Sequence, residues 1–435
     1  METGITILRH GLVLTMDDEG HIFEDGFIIF SPDGIIAVGE EENFPEEFDS
    51  FPCRDMSGHL IMPGMINTHT HLGMVSFRSL ADDYKDRLKR FLMPLENNAM
   101  TKELAAASSR IAMAEMIRAG ITAAVDMYYY EAEIAREADS LGFRLWAGET
   151  VLSSPHPGAS DLSESFSRCD ELMRNSSDLV TPLIAPHAPY SLPMDDLKEV
   201  FRYRKANGIG WTMHLEEMPF EMEAFARDYS STPVAIMAEE NLLDSSLIAA
   251  HLIFTSDEDI NILSETGVNA ALCPVANAKS AKGVAKGLEM MKSVNVTLGT
   301  DGSSSGNTLD LFTQMKAFAV LNKNRLADRT AMPASSIVPL VTRNAGKALG
   351  RNIGQLLEGF ESDISVLSLS DPNMIPCYDP YSILVYSAQP QNVTDVYIKG
   401  KAMLESGKFT FSFSDMVSSF NEAASGFRRE AEKLL

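Results

Sequence analysis

Two histidines, His69 and His71, lie one residue apart at the end of the segment LIMPGMINTHTH (60–71). The segment is rich in apolar residues and is predicted to form a β-strand, in which residues i and i+2 point to the same face. Two imidazoles on one face of a strand are placed to bind one metal ion. An HxH motif is weak evidence by itself, because two polar residues in a loop give the same pattern.

Further residues could complete such a metal site. His214, His251 and Asp301 each follow an apolar run, in IGWTMH, LIAAHLI and NVTLGTDG. A single histidine there is more often a hydrogen-bonded core residue than a ligand, but three imidazole nitrogens with one carboxylate suit a borderline cation such as Zn²⁺. Glu217 follows His214 by three residues in HLEEM and is a candidate proton carrier. The alternative for Glu217 is an ordinary acid in a solvated loop.

Apolar runs that alternate with helix-like stretches must position these residues. They span 60–71, 121–129, 143–151, 179–187, 209–214, 247–253, 268–274 and 295–302. Such alternation is typical of βα units in a parallel sheet. Eight units predict an α/β fold with a distorted (β/α)₈ TIM barrel over residues 61–350, whereas merging one pair of runs would give an open sheet.

Nearly every run ends in a polar side chain. These side chains belong to His69, His71, Asp126, Glu149, His187, His214, His251, Cys273 and Asp301. In a barrel, the carboxyl ends of the strands meet on one face, where barrel enzymes place their catalytic residues. The fold prediction therefore brings histidines from different strands to one site.

The two ends of the chain have a different pattern. Short β-branched runs and turn residues fill residues 4–39, and the same pattern returns at 362–369 and 394–409. It predicts antiparallel strands. We therefore expect a smaller discontinuous β-sandwich domain built from residues 1–60 and 351–412. Apolar residues at helical spacing predict an amphipathic helix over residues 413–435.

Charge and cysteine content argue against several kinds of protein. The 435 residues include 36 Lys and Arg against 61 Asp and Glu, a formal charge of −25 that repels nucleic acids and anionic membranes. The 4 cysteines form no CxxC pair, so a reducing compartment is expected. The first residues do not resemble a signal peptide, and we expect a cytoplasmic protein with a small-molecule substrate. GxxxxGK[ST] and GxSxG motifs are absent, which argues against a nucleotide triphosphatase and a serine hydrolase.

Several segments, in this order, match a known family. They are PGMINTHTHLGM (63–74), FRSLADD (77–83), MHLEE (213–217), IAAHLIFTSDEDI (248–260), LGTDGSSSGNTLDLFTQMKAFAVLNK (298–323) and VTRNAGKALG (341–350). With these motifs the chain resembles the amidohydrolase superfamily over essentially its whole length. Within it, the chain is similar to the branch of 5-methylthioadenosine/S-adenosylhomocysteine deaminases and s-triazine hydrolases.

The resemblance implies a site for one divalent metal ion, zinc or alternatively iron. The residues that match the metal ligands are His69, His71, His214 and Asp301. The residues that match the catalytic proton carriers are Glu217, His251 and Asp301. Members with two metal ions have a lysine at the end of the fourth strand, where this chain has Ala185-Pro186-His187. The implied reaction is hydrolytic deamination of an aromatic ring carbon.

Four residues are candidate substrate contacts. By resemblance, Glu96 in PLE (94–96) binds ribose hydroxyls, His187 in APHAPY contacts the substrate, and Ser305 meets the purine. Arg144 is a candidate partner for a homocysteine carboxylate. These residues favour an adenine nucleoside: 5′-methylthioadenosine, S-adenosylhomocysteine, adenosine or 5′-deoxyadenosine. The alternative for Glu96 is an exposed acid at the start of a helix.

The chain departs from the family pattern in loops over the predicted pocket. The usual AHCVH is AHLIF here, and the usual CPTSNLKLASG is CPVANAKSAKG, with Ala276 and Ala278 replacing a hydroxyl and a leucine. These changes leave the substrate open, and the alternative is a deaminase or dechlorinase of a pterin, a purine base or an s-triazine. A noncatalytic barrel scaffold is a further alternative. Oligomeric state also stays open, although the resemblance allows a homo-oligomer.

Overall fold

Segments from both ends of the chain form one nine-stranded sheet in the computed structural model, which describes residues 4–435. Its amino-terminal strands are β1 (Thr6–Leu14), β2 (Ile22–Ser31), β3 (Gly34–Glu40), β4 (Arg54–Asp55) and β5 (His59–Pro63). β1, β2 and β3 pair in antiparallel fashion, whereas β5 runs parallel to β1. The first predicted run therefore divides between two sheets, because its first residues pair here and the barrel begins at Met65.

The second sheet is the predicted barrel. Its strands are β6 (Met65–Thr70), β7 (Ile121–Tyr128), β8 (Arg144–Val151), β9 (Val180–Pro186), β10 (Gly210–Leu215), β11 (Leu247–His251), β12 (Asn269–Leu272) and β13 (Asn295–Leu298). Neighbouring strands from β6 to β13 are parallel. Each overlaps one of the eight apolar runs, and this part of the prediction is confirmed. Ile66, Val125, Trp146, Leu183 and Ile248 share a buried core inside the barrel.

Hydrogen bonds between β6 and the end of β13 bring the first and last barrel strands together. The hydroxyls of Thr68 and Thr297 lie 2.8 Å apart. Just beyond β13, the backbone N–H groups of Thr300 and Asp301 both donate to the carbonyl oxygen of His69, each at 3.1 Å. A Cβ at Gly299 would lie 2.8 Å from that oxygen, so glycine is required for this close approach. This seam fixes the backbone of His69 against that of Asp301.

Helices connect and cover the strands. They are α1 (Met93–Ala99), α2 (Lys102–Arg118), α3 (Glu131–Leu141), α4 (Leu162–Arg174), α5 (Met194–Asn207), α6 (Pro219–Tyr229), α7 (Pro233–Glu239), α8 (Asp257–Thr266), α9 (Pro274–Lys279), α10 (Gly287–Met290), α11 (Leu311–Leu326), α12 (Ala334–Ile337), α13 (Arg343–Leu349), α14 (Pro380–Tyr386), α15 (Phe413–Ala423) and α16 (Ser425–Leu434). Among residues 4–435, no helix combines the length and hydrophobicity needed to span a bilayer.

Capping residues begin and end two of these helices. The Thr101 side chain accepts a hydrogen bond from the backbone N–H of Leu104, 3.2 Å away, at the start of α2. Ser256 caps α8 in the same way, and Gly267 ends that helix with a φ of 72°. A side-chain acceptor satisfies a free N–H in the first turn, and glycine tolerates the left-handed backbone that ends a helix.

The carboxyl-terminal strands complete the nine-stranded sheet. They are β14 (Ile364–Ser368), β15 (Val393–Ile398), β16 (Lys401–Glu405) and β17 (Lys408–Phe409). β14 pairs with β5 in antiparallel fashion, so the two chain ends meet in the middle of the sheet. Leu8, Ile28, Ile61, Val366 and Tyr397 share one buried core, which joins side chains from both ends. The expectation of a separate β-sheet unit formed by both ends is confirmed.

The last predicted helix is two helices. α15 ends at Ala423 and α16 begins at Ser425, next to Gly426, a residue type that disfavours helix interiors. Both pack against the body of the protein, and the ring of Phe427 lies 4.6 Å from that of Phe77. The apolar spacing gave no sign of this break.

Candidate active site and metal centre

Four of the predicted residues converge at the carboxyl ends of the barrel strands. His69 lies in β6, His71 follows it directly, His214 lies in β10, and Asp301 follows β13. Nitrogens from the three histidines lie within 4.8 Å of one another. Nε2 of His71 is 3.3 Å from Nε2 of His214 and 3.2 Å from Oδ1 of Asp301. Three imidazoles and one carboxylate therefore surround one point.

Backbone carbonyls orient two of these imidazoles. Nδ1 of His71 lies 2.5 Å from the carbonyl oxygen of Met127, and Nδ1 of His214 lies 3.0 Å from that of His187. A carbonyl oxygen only accepts hydrogen bonds, so each Nδ1 carries the proton and donates it. In the neutral form of each ring, Nε2 has a lone pair that faces the centre of the cluster, as metal-binding histidines require.

His69 supports a metal ion most directly. Its side chain is fully buried, and neither ring nitrogen has a hydrogen-bond partner within residues 4–435. Its ring lies 4.9 Å from that of His71 and 5.0 Å from that of His214. A buried polar atom without a partner is costly, and a coordinated cation would remove this cost. The donor set, nitrogen with one carboxylate, fits a divalent ion such as zinc or iron.

The protonation states also suit metal binding. Burial, reinforced by the neighbouring imidazoles, holds the pKa of His69 and of His214 well below the usual histidine value. Burial alone would raise the pKa of Asp301, but its hydrogen bond to His71 and the nearby imidazoles lower it instead. His69 and His214 are therefore neutral and Asp301 is ionised, which are the forms that ligate metals. His71 differs, because burial lowers its pKa but the hydrogen bond and charge of Asp301 outweigh burial and raise that pKa to about 9. A metal ion would displace the proton that His71 shares with Asp301.

Two groups able to move protons lie beside this cluster. Glu217 follows β10, and its Oε1 lies 3.8 Å from Nε2 of His251 at the end of β11. The ammonium of Lys282 donates to the same Oε1. Nδ1 of His251 lies 2.9 Å from Oδ1 of Asn277, an acceptor, so Nε2 of His251 is free to take a proton. Burial would raise the pKa of Glu217, but His251 and Lys282 outweigh it and lower that pKa.

Three of the four residues predicted to contact substrate lie around the cluster. The hydroxyl of Tyr128 donates to Oε1 of Glu96 at 2.9 Å, and the Tyr128 ring lies 6.4 Å from that of His71. The His187 ring is 4.8 Å from the His214 ring. Ser305, which is half-buried, lies in the Asp301 loop. Burial raises the pKa of Glu96 to about 7 and lowers that of His187 to about 4.

Similarity to known proteins agrees with this geometry. Residues 60–403 match the amidohydrolase family, and this range contains every residue of the cluster. The chain belongs to the amidohydrolase family. A relative from Syntrophobacter fumaroxidans, named 5-methylthioadenosine/S-adenosylhomocysteine deaminase, is 34% identical over 92% of each chain. A 5′-deoxyadenosine deaminase from Methanosarcina barkeri is 35% identical over 92% of this chain and 93% of its own.

Solved structures of two other enzymes share the fold. An adenosine deaminase from Xanthomonas campestris with bound zinc superposes with a TM-score of 0.93, at 27% identity over 98% of both chains. Atrazine chlorohydrolase from Arthrobacter aurescens, complexed with zinc, has a TM-score of 0.88 at 19% identity over 96% of this chain and 99% of its own. The family and the fold inferred from the sequence motifs are therefore confirmed.

The structure corrects the expectation for Arg144. This residue begins β8, so it lies at the end of the amidohydrolase barrel opposite the cluster of predicted metal ligands. Its buried guanidinium donates to both carboxylate oxygens of Asp363, at 2.8 and 3.0 Å, and contacts Glu361 at 2.5 Å. Asp363 directly precedes β14. Arg144 thus joins the barrel to the small sheet and does not reach a substrate at the cluster.

Replacing Arg144 with methionine is expected to lower the free energy of unfolding by about 3–5 kcal/mol, because it leaves the buried Asp363 carboxylate unpaired. KM should stay close to the wild-type value, since the side chain is remote from the cluster. Urea unfolding and steady-state kinetics on the same preparation test both statements. A large rise in KM with unchanged stability would contradict the structural role.

Two residues of the amidohydrolase site were missed from the sequence. Asn277 follows β12 and holds His251, while Lys282 lies in the next turn and contacts Glu217. Both lie in CPVANAKSAKG, the segment compared above with CPTSNLKLASG. The signal for Lys282 was its presence where that motif has serine. The motif has an asparagine at the position of Asn277. An asparagine shortly after a barrel strand could have indicated a residue of the site.

Proposed function

We propose that this amidohydrolase deaminates an adenine nucleoside by hydrolysis and releases ammonia. The observation that carries the proposal is the pair Glu217 and His251, held beside the cluster of three imidazoles and Asp301. One water is consumed: its oxygen adds to the ring carbon, the bond from that carbon to the amino nitrogen breaks, and ammonia leaves. Two relatives, at 34% and 35% identity, are named as deaminases of such nucleosides, which supports the same reaction.

Four side chains would hold one divalent cation, namely His69, His71, His214 and Asp301. When bound, the cation would lower the pKa of a coordinated water to about 7, which supplies hydroxide at neutral pH. Zinc is our first choice, since two structural neighbours contain it, and iron is the alternative with the same ligand preferences.

The protein side chains would then manage the protons. Asp301 and His251 would aim the oxygen of the attacking water at the ring and accept one of its two protons. Glu217, ionised in the free enzyme, would accept the other proton and pass it to the adjacent ring nitrogen, so that negative charge does not build up there during attack. The same carboxyl group then relays the proton held by Asp301 and His251 to the amino group, which leaves as ammonia.

Substrate recognition is assigned to three residues around the cluster. Glu96 would accept hydrogen bonds from the ribose hydroxyls, while His187 contacts the base and Ser305 meets the purine ring. The Glu96 assignment is supported by the half-buried carboxylate, whose Oε1 accepts a hydrogen bond from Tyr128, and the Tyr128 ring lies 6.4 Å from that of His71. This set favours 5′-methylthioadenosine, S-adenosylhomocysteine, adenosine or 5′-deoxyadenosine.

Replacing Glu96 with alanine is expected to raise KM for the preferred nucleoside by roughly 10- to 100-fold, the effect of losing a hydrogen bond to a charged group. Glutamine at this position keeps one acceptor and should show a smaller increase. Metal content should not change in either variant. An unchanged KM in Glu96→Ala would contradict nucleoside recognition and favour a base or heterocycle without ribose.

Ammonia release from purified, metal-analysed protein tests the proposal itself. The substrates to compare are the four nucleosides, guanine, pterins and aminotriazines. Turnover of one or more nucleosides supports the proposal. Turnover of a pterin, guanine or a triazine alone would show that the substrate is not a nucleoside. No turnover by protein with one metal ion per chain would contradict deamination of every compound in the panel.

A further inference from the structure

Lys282 contacts the proton carrier directly. Its ammonium donates to Oε1 of Glu217, and the two side chains are 21% and 11% exposed. The same oxygen faces Nε2 of His251 at 3.8 Å. Oε1 of Glu217 is therefore placed between the ammonium of Lys282 and the imidazole of His251.

The backbone directs Lys282 inward. Its N–H donates to the carbonyl oxygen of Asn277 at 3.0 Å. Ala281 has a φ of 53° and Gly283 a φ of 136°, so the chain turns sharply on both sides of the lysine. The Asn277 side chain in turn holds His251. A single loop thus carries the partners of both proton carriers.

Neighbouring lysines of this loop behave differently. Lys279 lies 3.0 Å from a carboxylate oxygen of Asp82, and Lys286 lies 2.7 Å from one of Asp257, which is 87% exposed. Such pairs near solvent contribute little to stability. Lys282 differs from them because its carboxylate partner is buried and adjoins the reaction centre.

We propose that Lys282 is a positioning residue, which holds the Glu217 carboxylate in one orientation so that it can pass a proton to the substrate ring nitrogen. This inference rests on the proposed deamination. The ammonium fixes Oε1 near His251 and directs the carboxylate at the substrate. Without it, the carboxylate would rotate and would lose its hydrogen-bond donor.

The charges around Glu217 give a direction for its pH dependence. Lys282, His251 and Asp301 act on it most directly, and His187, Tyr190 and Glu221 also lie within electrostatic range. Burial and Asp301 raise the pKa of Glu217, whereas His251 and Lys282 lower it. Removing the ammonium therefore raises this pKa. The free enzyme needs the ionised carboxylate. On acidification, a variant without the ammonium should therefore lose activity at a higher pH than wild type does.

Kinetics of Lys282→Met test the proposal. We expect kcat to fall by roughly 10- to 100-fold, the range for residues that orient others at metal sites, with KM changing much less. The acidic limb of the kcat/KM profile should move to higher pH, and Lys282→Arg should recover part of kcat. Lys286→Met is the matched control and should behave as wild type.

Two kinetic outcomes would overturn the inference. The first is an unchanged kcat and pH profile in Lys282→Met. The second is a rise in KM for S-adenosylhomocysteine alone, with normal turnover of 5′-deoxyadenosine, which would make Lys282 a contact for the substrate carboxylate instead.

Infrared titration separates failure of this inference from failure of the proposed function, because it needs no substrate. In metal-loaded Lys282→Met at mildly acidic pH, a protonated carboxyl band should appear that is weaker in wild type and absent from the double variant with Glu217→Gln. Equal bands in wild type and Lys282→Met would refute the positioning role. If the bands differ but no nucleoside is deaminated, only the proposed function fails.

Discussion

Replacing Glu217 with glutamine is expected to remove most of kcat while leaving the bound metal in place. Glutamine has the same shape but carries no exchangeable carboxyl proton, and general acid–base catalysis contributes about 10²- to 10⁴-fold. Glu217 lies beside the predicted ligands and is not one of them. Ammonia release and metal analysis on one preparation give both results.

The neighbouring glutamate provides a matched control. Glu216 is also buried, but its carboxylate faces the start of α7, where the N–H of Val234 donates to it at 3.4 Å. Burial raises its pKa to about 8, so the neutral amide of Glu216→Gln resembles the group already present. This variant should keep near-normal kcat. Full activity in Glu217→Gln, or loss of its metal, would contradict the proton-transfer role.

Replacing His69 with alanine should weaken metal binding by more than about 100-fold, the upper range for changing a residue that merely orients a ligand. The reason is that His69 supplies a buried nitrogen with no other partner in the described chain. Activity should fall with metal content. A metal that binds only the folded state raises its melting temperature, so added zinc should stabilise wild type but not this variant.

His59→Ala is a suitable control for that experiment, because His59 lies in β5 of the small sheet. It should bind metal as wild type does. Asp301→Ala tests the carboxylate ligand in the same way. Stoichiometric metal in both His69→Ala and Asp301→Ala would refute the ligand set.

The convergence of the site could be predicted because it depends on regular geometry. An HxH pair in a strand places His69 and His71 on one face, and parallel barrel strands place His214 and Asp301 at the same end. Runs of apolar residues mark those strands in the sequence. Neither inference requires knowledge of how individual side chains pack.

The errors and omissions have a different origin. Arg144 was placed near the substrate although a residue at the start of a barrel strand lies on the opposite face from the site. The inward direction of Lys282 depends on left-handed backbone at Ala281 and on a hydrogen bond to Asn277. Residue types do not specify such loop conformations, so contacts made by loops could not be predicted from the sequence.

The seam between β6 and β13 has a consequence for biosynthesis. It joins Asn67 to Thr300 across 233 residues, and the two ligands His69 and Asp301 lie on its two sides. A ribosome that has released only the first half of the chain has therefore made three of the four ligands but not the fourth. It follows that the complete ligand set is assembled late, after the last barrel strand has emerged, and that a truncated nascent chain would hold metal poorly.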